Sequence, residues 1–273
     1  MDITAAMVNE LRNKTGLPMM QCKKALVEAG GNMDKATDIL RKGGAAVGQK
    51  LAGRETSQGR VACYVDGGKA GIIVLRCETA PVANTVDFQK LANLLAKQAA
   101  NLDNATPESL MASKMADNPS RSVQDEWNEA MNRIRENMQL AKAARLTGVV
   151  GSYLHHNGQV GVIVQMSGEC PDEVRTDVCM HAAAMRPMCT TREEVDPALV
   201  AKEREIAAEL VKGKPPQIVD KIVSGKLDKW YSEIVLVEQL FVKDDKQTVG
   251  QYVASRAKGV TVSRFHRFDV GGA

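Results

Sequence analysis

Aromatic residues are scarce in this chain, 4% of its 273 residues, and the charge is nearly balanced, with a formal net of +3. Nucleic-acid binding favours a concentrated basic face and stacking platforms, so this composition gives it little support. Mild basicity is instead compatible with an acidic protein partner. Long apolar runs are also missing, and none approaches the length of a membrane-spanning helix. The opening MDITAAMVNELRNKTG is amphipathic and lacks the apolar centre of a signal peptide, so the expected location is the cytosol. The six cysteines (Cys22, Cys63, Cys77, Cys170, Cys179 and Cys189) include no CxxC pair, which favours reduced, mostly buried thiols over a disulfide framework. Cys179, His181 and Cys189 lack the paired spacing of a zinc site, so no metal is expected.

Catalytic motifs are equally thin. No nucleophile with an adjacent base, carboxylate pair or phosphate-cradling loop is recognisable, and GGKAG at 67–71 has neither the spacing nor the Ser/Thr of a P-loop. His155 and His156 fall in a hairpin turn, where solvated histidines are the default. His181 lies in the apolar segment VCMHAAAM, where a satisfied structural histidine is the first reading and a partner contact the second. The expectation is a protein that is not an enzyme and needs no cofactor of its own.

The patterning that is present organises the chain. A length of 273 residues implies two or three subdomains, because single cores stop growing at about 250–300 residues. The first forty residues read as three short helices. Thr4 caps the first, and Ile3, Met7 and Leu11 form its apolar face. Pro18 suits the first turn of the second and Gly30 its end, while Asn32 caps the third. KGGAAVGQKLAGRETSQG then reads as a glycine-rich linker. Met19 and Met20 cannot both face one core, so at least one is expected at the surface as adaptable contact area.

A diverged repeat follows. GRVACYVDGGKAGIIVL and TGVVGSYLHHNGQVGVIVQ each read as a hairpin, turning at Gly67-Gly68 and at Asn157-Gly158. Helical segments succeed both, which predicts two similar α+β halves. Ser122 and Asp125 resemble a capping box, opening a helix expected to carry Val123, Trp127, Ile134, Met138 and Ala141 on one side. DEVRTDVCMHAAAMRP reads as a helix stopped by Pro187. The charged stretch from Pro197 to Trp230, broken at GKPP, predicts an antiparallel helical hairpin. SEIVLVEQLFV then reads as a strand, TVGQYVASRA as a short helix and VTVSRFHRF as the last strand. The resulting division is 1–54, 55–145, 146–192, a helical arm at 193–229, and 230–273.

LRNKTGLPMMQCKKALVEAGGNMDKATDILRKGG resembles the N-terminal module of elongation factor Ts, the nucleotide-exchange factor for the translation GTPase elongation factor Tu. MHAAAMRP, GKPPQIVDKIVSGKL, VLVEQLFVKDDKQTVGQYV and RFHRFDVG resemble later blocks of that family in the same order. The resemblance implies an α+β fold with a ubiquitin-associated-like three-helix domain, two repeated α+β halves and a coiled-coil arm. It also implies that Arg12, Met19, Met20 and Lys23 touch the partner's nucleotide domain. Val160, Gly161 and His181 would support or join the interface, and Val242 with Lys243 would face the partner's other domains. Pairing of two copies through the arm is left open, and family members often continue past the position of Ala273 with a further acidic and helical segment expected to be absent here.

One block departs from the family. The corner that usually reads Thr-Asp-Phe-Val, whose aromatic enters the partner near its magnesium and phosphate site, reads here as Thr79, Ala80, Pro81 and Val82. Truncating an interface aromatic costs on the order of 2–4 kcal/mol. Pro81 answers part of that loss, since its fixed φ presents a rigid apolar knob at little entropic cost. The alternatives are a passive turn, with exchange carried by other contacts, and an adaptor that binds without exchanging nucleotide.

Overall fold

The computed structural model describes residues 2–211 and 215–272, the side chains of 216 and 217 excepted. Three helices open the chain: α1 (Ala5–Thr15), α2 (Met19–Glu28) and α3 (Met33–Leu51). Thr4 Oγ1 accepts the Met7 N–H at 3.3 Å and Asn32 Oδ1 accepts the Lys35 N–H at 2.9 Å, so both polar residues cap as their positions predict. Leu11, Cys22, Leu26 and Ala36 are fully buried between the three helices.

The first hairpin joins β1 (Gln58–Asp66) to β2 (Lys69–Cys77) through Gly67 and Gly68, whose φ values of 52° and 79° suit only residues tolerant of the left-handed region. Then come α4 (Ala80–Ala83), α5 (Val86–Asn101), α6 (Pro107–Ala112), α7 (Val123–Ile134) and β3 (Met138–Thr147). Ser122 and Asp125 form a reciprocal capping box at the start of α7. Met138 and Ala141, expected on that helix, belong instead to β3. Arg135 adopts a left-handed conformation at φ 57°, closes α7 and turns the chain back onto β2.

The stretch expected to be a linker is helical as far as Leu51. Its small residues are packing surface: a Cβ at Gly44 would lie 1.9 Å from the carbonyl oxygen of Asn128 on α7. The Asn132 side-chain amide donates to the Leu40 carbonyl, and Arg41 pairs with Asp125 at 3.3 Å. Tertiary contact with α7 offsets the low helix propensity of the glycines.

The second half repeats the plan. β4 (Val149–Leu154) and β5 (Val160–Met166) form its hairpin, followed by α8 (Asp172–Met185). The arm comprises α9 (Pro197–Glu209) and α10 (Pro216–Ile234), joined through Ala207, Val211, Val223 and Leu227. Gly213 and Lys214 of the expected break lie outside the described residues. Next are β6 (Leu240–Phe241), β7 (Asp244–Thr248), α11 (Val249–Arg256) and β8 (Val262–Asp269). The strand expected over SEIVLVEQLFV shrinks to β6, because α10 continues through Ile234 and Leu236–Glu238 forms a 3-10 turn. Val235, just before that turn, and Leu236 within it are fully buried, and Val235 makes only an isolated parallel bridge with Cys189, so the apolar run reflects burial more than an extended ladder.

Among the described residues the strands form sheets ordered β1-β2-β3, β4-β5-β8 and β6-β7, all antiparallel. The two larger sheets pack face to face. Val61, Ile72 and Val74 meet Val150 and Ile163 between them, while Ile73 and Leu75 face α5 and Val162 and Val164 face α8. Burial of both faces explains why the central strands read as continuous apolar runs. The fold is α+β, with helices on the outer face of each sheet.

Candidate functional site

The corner after β2 is a single helical turn, α4, with Thr79 at its N-cap and Pro81 in its first turn, a position that needs no N–H. Thr79, Ala80 and Pro81 are exposed. Val82 is half-buried against the α5 core and Ala83 is buried, so two residues anchor the turn and the preceding three face solvent. No intervening helical turn separates β5 from α8, so α4 is particular to the first half.

Glu136, in the connection between α7 and β3, holds this corner. Its carboxylate accepts the Thr79 N–H at 3.0 Å and the Thr79 hydroxyl at 2.6 Å. Glu78 returns the interaction: its Oε1 accepts the Asn137 N–H at 2.6 Å, and Arg54 neutralises it at 3.3 Å. Asn137 Nδ2 donates to the Arg54 carbonyl at 2.7 Å. The Cys77 thiol is held protonated, its pKa pushed up to about 11 by burial and then by Glu136, and it donates to the Thr79 carbonyl at 3.3 Å.

His181, fully buried in α8, accepts the Val242 N–H on Nδ1 at 3.1 Å, and its Nε2 lies 2.9 Å from Gln239 Oε1. Gln239 in turn donates to the carbonyls of Glu233 and Met185. Burial lowers the His181 pKa, and the hydrogen bond to Gln239 opposes that only in part. Beside it, Asp177 accepts from Lys243 at 2.6 Å and from the Tyr252 hydroxyl at 2.7 Å, and desolvation with this bond raises the Tyr252 pKa. The imidazole therefore fixes the β6–β7 hairpin on α8, with Val242 half exposed at 49%.

Of the residues singled out by sequence, Val160, Val242 and Lys243 line one cleft of about 480 Å³, with Tyr153 and Arg267, and His181 lies beneath its Val242 wall. Gly161 is buried between the sheets, where an added Cβ would lie 2.6 Å from Val61 Cγ1. Arg12, Met19, Met20 and Lys23 are all exposed on α1 and α2, and both methionines, at 49% and 62%, are on the surface. They form a second region, and Thr79 to Val82 a third. Arg133 on α7 joins the N-terminal module to the start of α5: its Nη1 reaches the Thr15 carbonyl at 3.5 Å, and its Nε lies 3.2 Å from Asp87, an ion pair rather than an aligned hydrogen bond.

Sequence reasoning missed Glu78, Glu136, Asn137, Asp177 and Gln239. Each makes its defining contact across a long separation in the chain, which local spacing does not reveal. Among the described residues no cluster of three His, Cys, Asp or Glu side chains is placed to hold a metal. Both ring nitrogens of His181 are already engaged, so it is not a free ligand. No helix is long and apolar enough to cross a membrane among the residues described.

Residues 78–272 match the family model described as elongation factor TS. The chain is 40% identical to elongation factor Ts of Clostridium kluyveri over 284 residues, covering 98% of this chain and 93% of that protein. It is also 40% identical to elongation factor Ts of Trichlorobacter lovleyi, with 99% and 93% coverage, and to that of Nitratidesulfovibrio vulgaris, with 99% and 96%. The match takes in the corner, its carboxylate clamp and the His181 network, and from near-complete coverage at this identity the chain belongs to the elongation factor Ts family.

Proposed function

We propose that the chain is a guanine-nucleotide exchange factor that binds elongation factor Tu in its GDP form and promotes GDP release in support of translation elongation. The observation that carries this reading is the exposed Ala80-Pro81 corner, clamped from below by Glu136, in a chain whose N-terminal module exposes Met19 and Met20.

The activity is displacement and makes no covalent bond. A GTPase holds GDP through backbone donors around the phosphates and through a magnesium ion that demands near-octahedral geometry. A small shift of that region weakens the nucleotide. In this reading Pro81 is a rigid apolar wedge, smaller than the family's aromatic, pressed near the partner's magnesium and phosphate site. Arg12, Met19, Met20 and Lys23 grip the nucleotide domain, while the cleft at Val160, Val242 and Lys243 engages the partner's other domains. The magnesium belongs to the partner. Pairing of two copies through the α9–α10 arm and residence in the cytoplasm are compatible with this assignment but do not carry it.

Linkage supplies a test. If the chain weakens GDP binding by some factor, GDP weakens binding of the chain by the same factor. Calorimetric titration is expected to give tighter binding to nucleotide-free elongation factor Tu than to the GDP form. Equal affinity for both forms would leave an adaptor, not an exchange factor.

A further inference from the structure

We propose that Glu136 is a positioning residue for nucleotide displacement, acting through Thr79 to set the angle at which the Ala80-Pro81 turn is presented; this rests on the exchange reading above. A four-residue helix does not hold itself, because nucleating one turn costs more than its few hydrogen bonds return. The Thr79, Pro81 and Val82 carbonyls accept backbone N–H groups, the first at 3.3 Å, and the Ala80 carbonyl accepts the Asn84 side-chain amide at 3.0 Å, so the C-terminal end of α4 is tied to the chain just after it, while Pro81 contributes no donor. Its buried side, Val82 and Ala83, fixes depth. Orientation comes from the capping end, where Glu136 takes both polar hydrogens of Thr79 with its two oxygens.

The clamp is reciprocal. Glu136 binds the backbone at Thr79, while Glu78, the residue before it, binds the backbone at Asn137, the residue after Glu136. Such an exchange fixes the two segments in both translation and rotation, which one bond could not do. Arg54 screens Glu78 and accepts from Asn137 on its carbonyl, so the same clamp reaches the segment just after α3. The connection also contains Arg135 in a left-handed conformation, a cost retained where the surroundings over-determine the backbone.

The test is release of a fluorescent GDP analogue from elongation factor Tu, measured against concentration of the full-length chain for wild type, Glu136→Ala, Thr79→Ala, Thr79→Ser and the double alanine variant. Glu136→Ala is expected to lower the saturating release rate by about tenfold or more while the half-saturating concentration moves less than about threefold. Thr79→Ala is expected to lower the saturating rate as well, and Thr79→Ser, which keeps the hydroxyl, is expected to restore most of what the alanine variant loses. The double variant is expected to be no slower than Glu136→Ala alone, because both changes remove one shared interaction. Unchanged saturating rates in Glu136→Ala and Thr79→Ala would overturn the proposal, as would a loss confined to half-saturation or one that simply follows a fall in melting temperature. If Glu136→Ala does not fold, the exposed Thr79→Ala and Thr79→Ser pair decides alone. Should wild type itself fail to accelerate release, the exchange reading fails and the proposal falls with it; acceleration by wild type with unaffected variants overturns the proposal alone.

Discussion

His181 Nδ1 accepts the backbone N–H of Val242 at 3.1 Å, and this bond selects the imidazole tautomer that carries its proton on Nε2, facing Gln239. Protonation would place a second hydrogen against the Val242 donor. Burial lowers the folded-state pKa below the ordinary value near 6.5, so the unfolded chain binds the proton more readily. The stability contribution is complete above pH of about 6.5 and is lost as pH falls toward the depressed folded value. His181→Asn, which keeps an acceptor for Val242, is expected to show a shallower fall in melting temperature between about pH 7 and 5 than wild type. His266, also shifted down by burial and by Arg264, remains in both proteins, so the difference isolates His181. Parallel curves would refute the assignment.

Gly44 and Gly48 lie one turn apart on α3 and predict opposite outcomes. An added Cβ at Gly44 meets the Asn128 backbone at 1.9 Å, whereas one at Gly48 meets Met131 Cγ at 3.6 Å, an ordinary contact. Gly44→Ala is expected to destabilise by about 1–3 kcal/mol through overpacking. Gly48→Ala is expected to stabilise by about 0.5–1 kcal/mol through helix propensity. Chemical denaturation of both variants checks the pair, and a stabilising Gly44→Ala would rule out the close α3–α7 approach.

These glycines also show what the chain reveals and conceals. The caps at Thr4, Asn32 and Ser122 and the turn at Gly67-Gly68 were legible because their chemistry acts within a few residues. The helical course of α3 past Lys42 was not, since small residues packed against a distant helix look like a flexible connection. Met138 and Ala141 extend the helical spacing of α7 by coincidence, and no glycine marks the stop at Arg135. Apolar spacing alone could not separate the buried 3-10 turn at Leu236 from a strand. At the site, the exposure of Met19 and Met20 followed from helical geometry, whereas the Thr79–Glu136 clamp joins residues 57 apart and leaves no local trace.

Arg192 pins the base of the arm. It pairs with Glu238 through two nitrogens and with Asp228 at 2.8 Å, and its guanidinium lies 4.4 Å from the Tyr231 ring centre. Its side chain is 40% exposed, so solvent screening limits the effect of removing it to about 1 kcal/mol. Arg192→Lys cannot reproduce the planar fork and is expected to behave nearly as Arg192→Ala. Hydrogen exchange along the C-terminal turns of α10 should rise in both variants while that of α5 stays constant. Unchanged α10 protection would show that the arm is held by its apolar contacts alone.

Pro81 should matter through shape and stiffness. Pro81→Ala shortens the apolar knob, and Pro81→Gly also frees the backbone of a turn with few bonds of its own. Both are expected to slow GDP release by about tenfold, with glycine the more damaging. Full acceleration by both variants would make the corner a passive turn and shift exchange to the N-terminal module and the Val242 cleft.

The most direct measurement is stopped-flow release of a fluorescent GDP analogue from the same organism's elongation factor Tu, with and without the wild-type chain, alongside a binding assay. Exchange through the clamped corner predicts release that accelerates steeply with concentration and then saturates as the complex fills. A complex that forms while GDP leaves at its unaided rate would contradict the account and identify the chain as a binding protein without exchange activity.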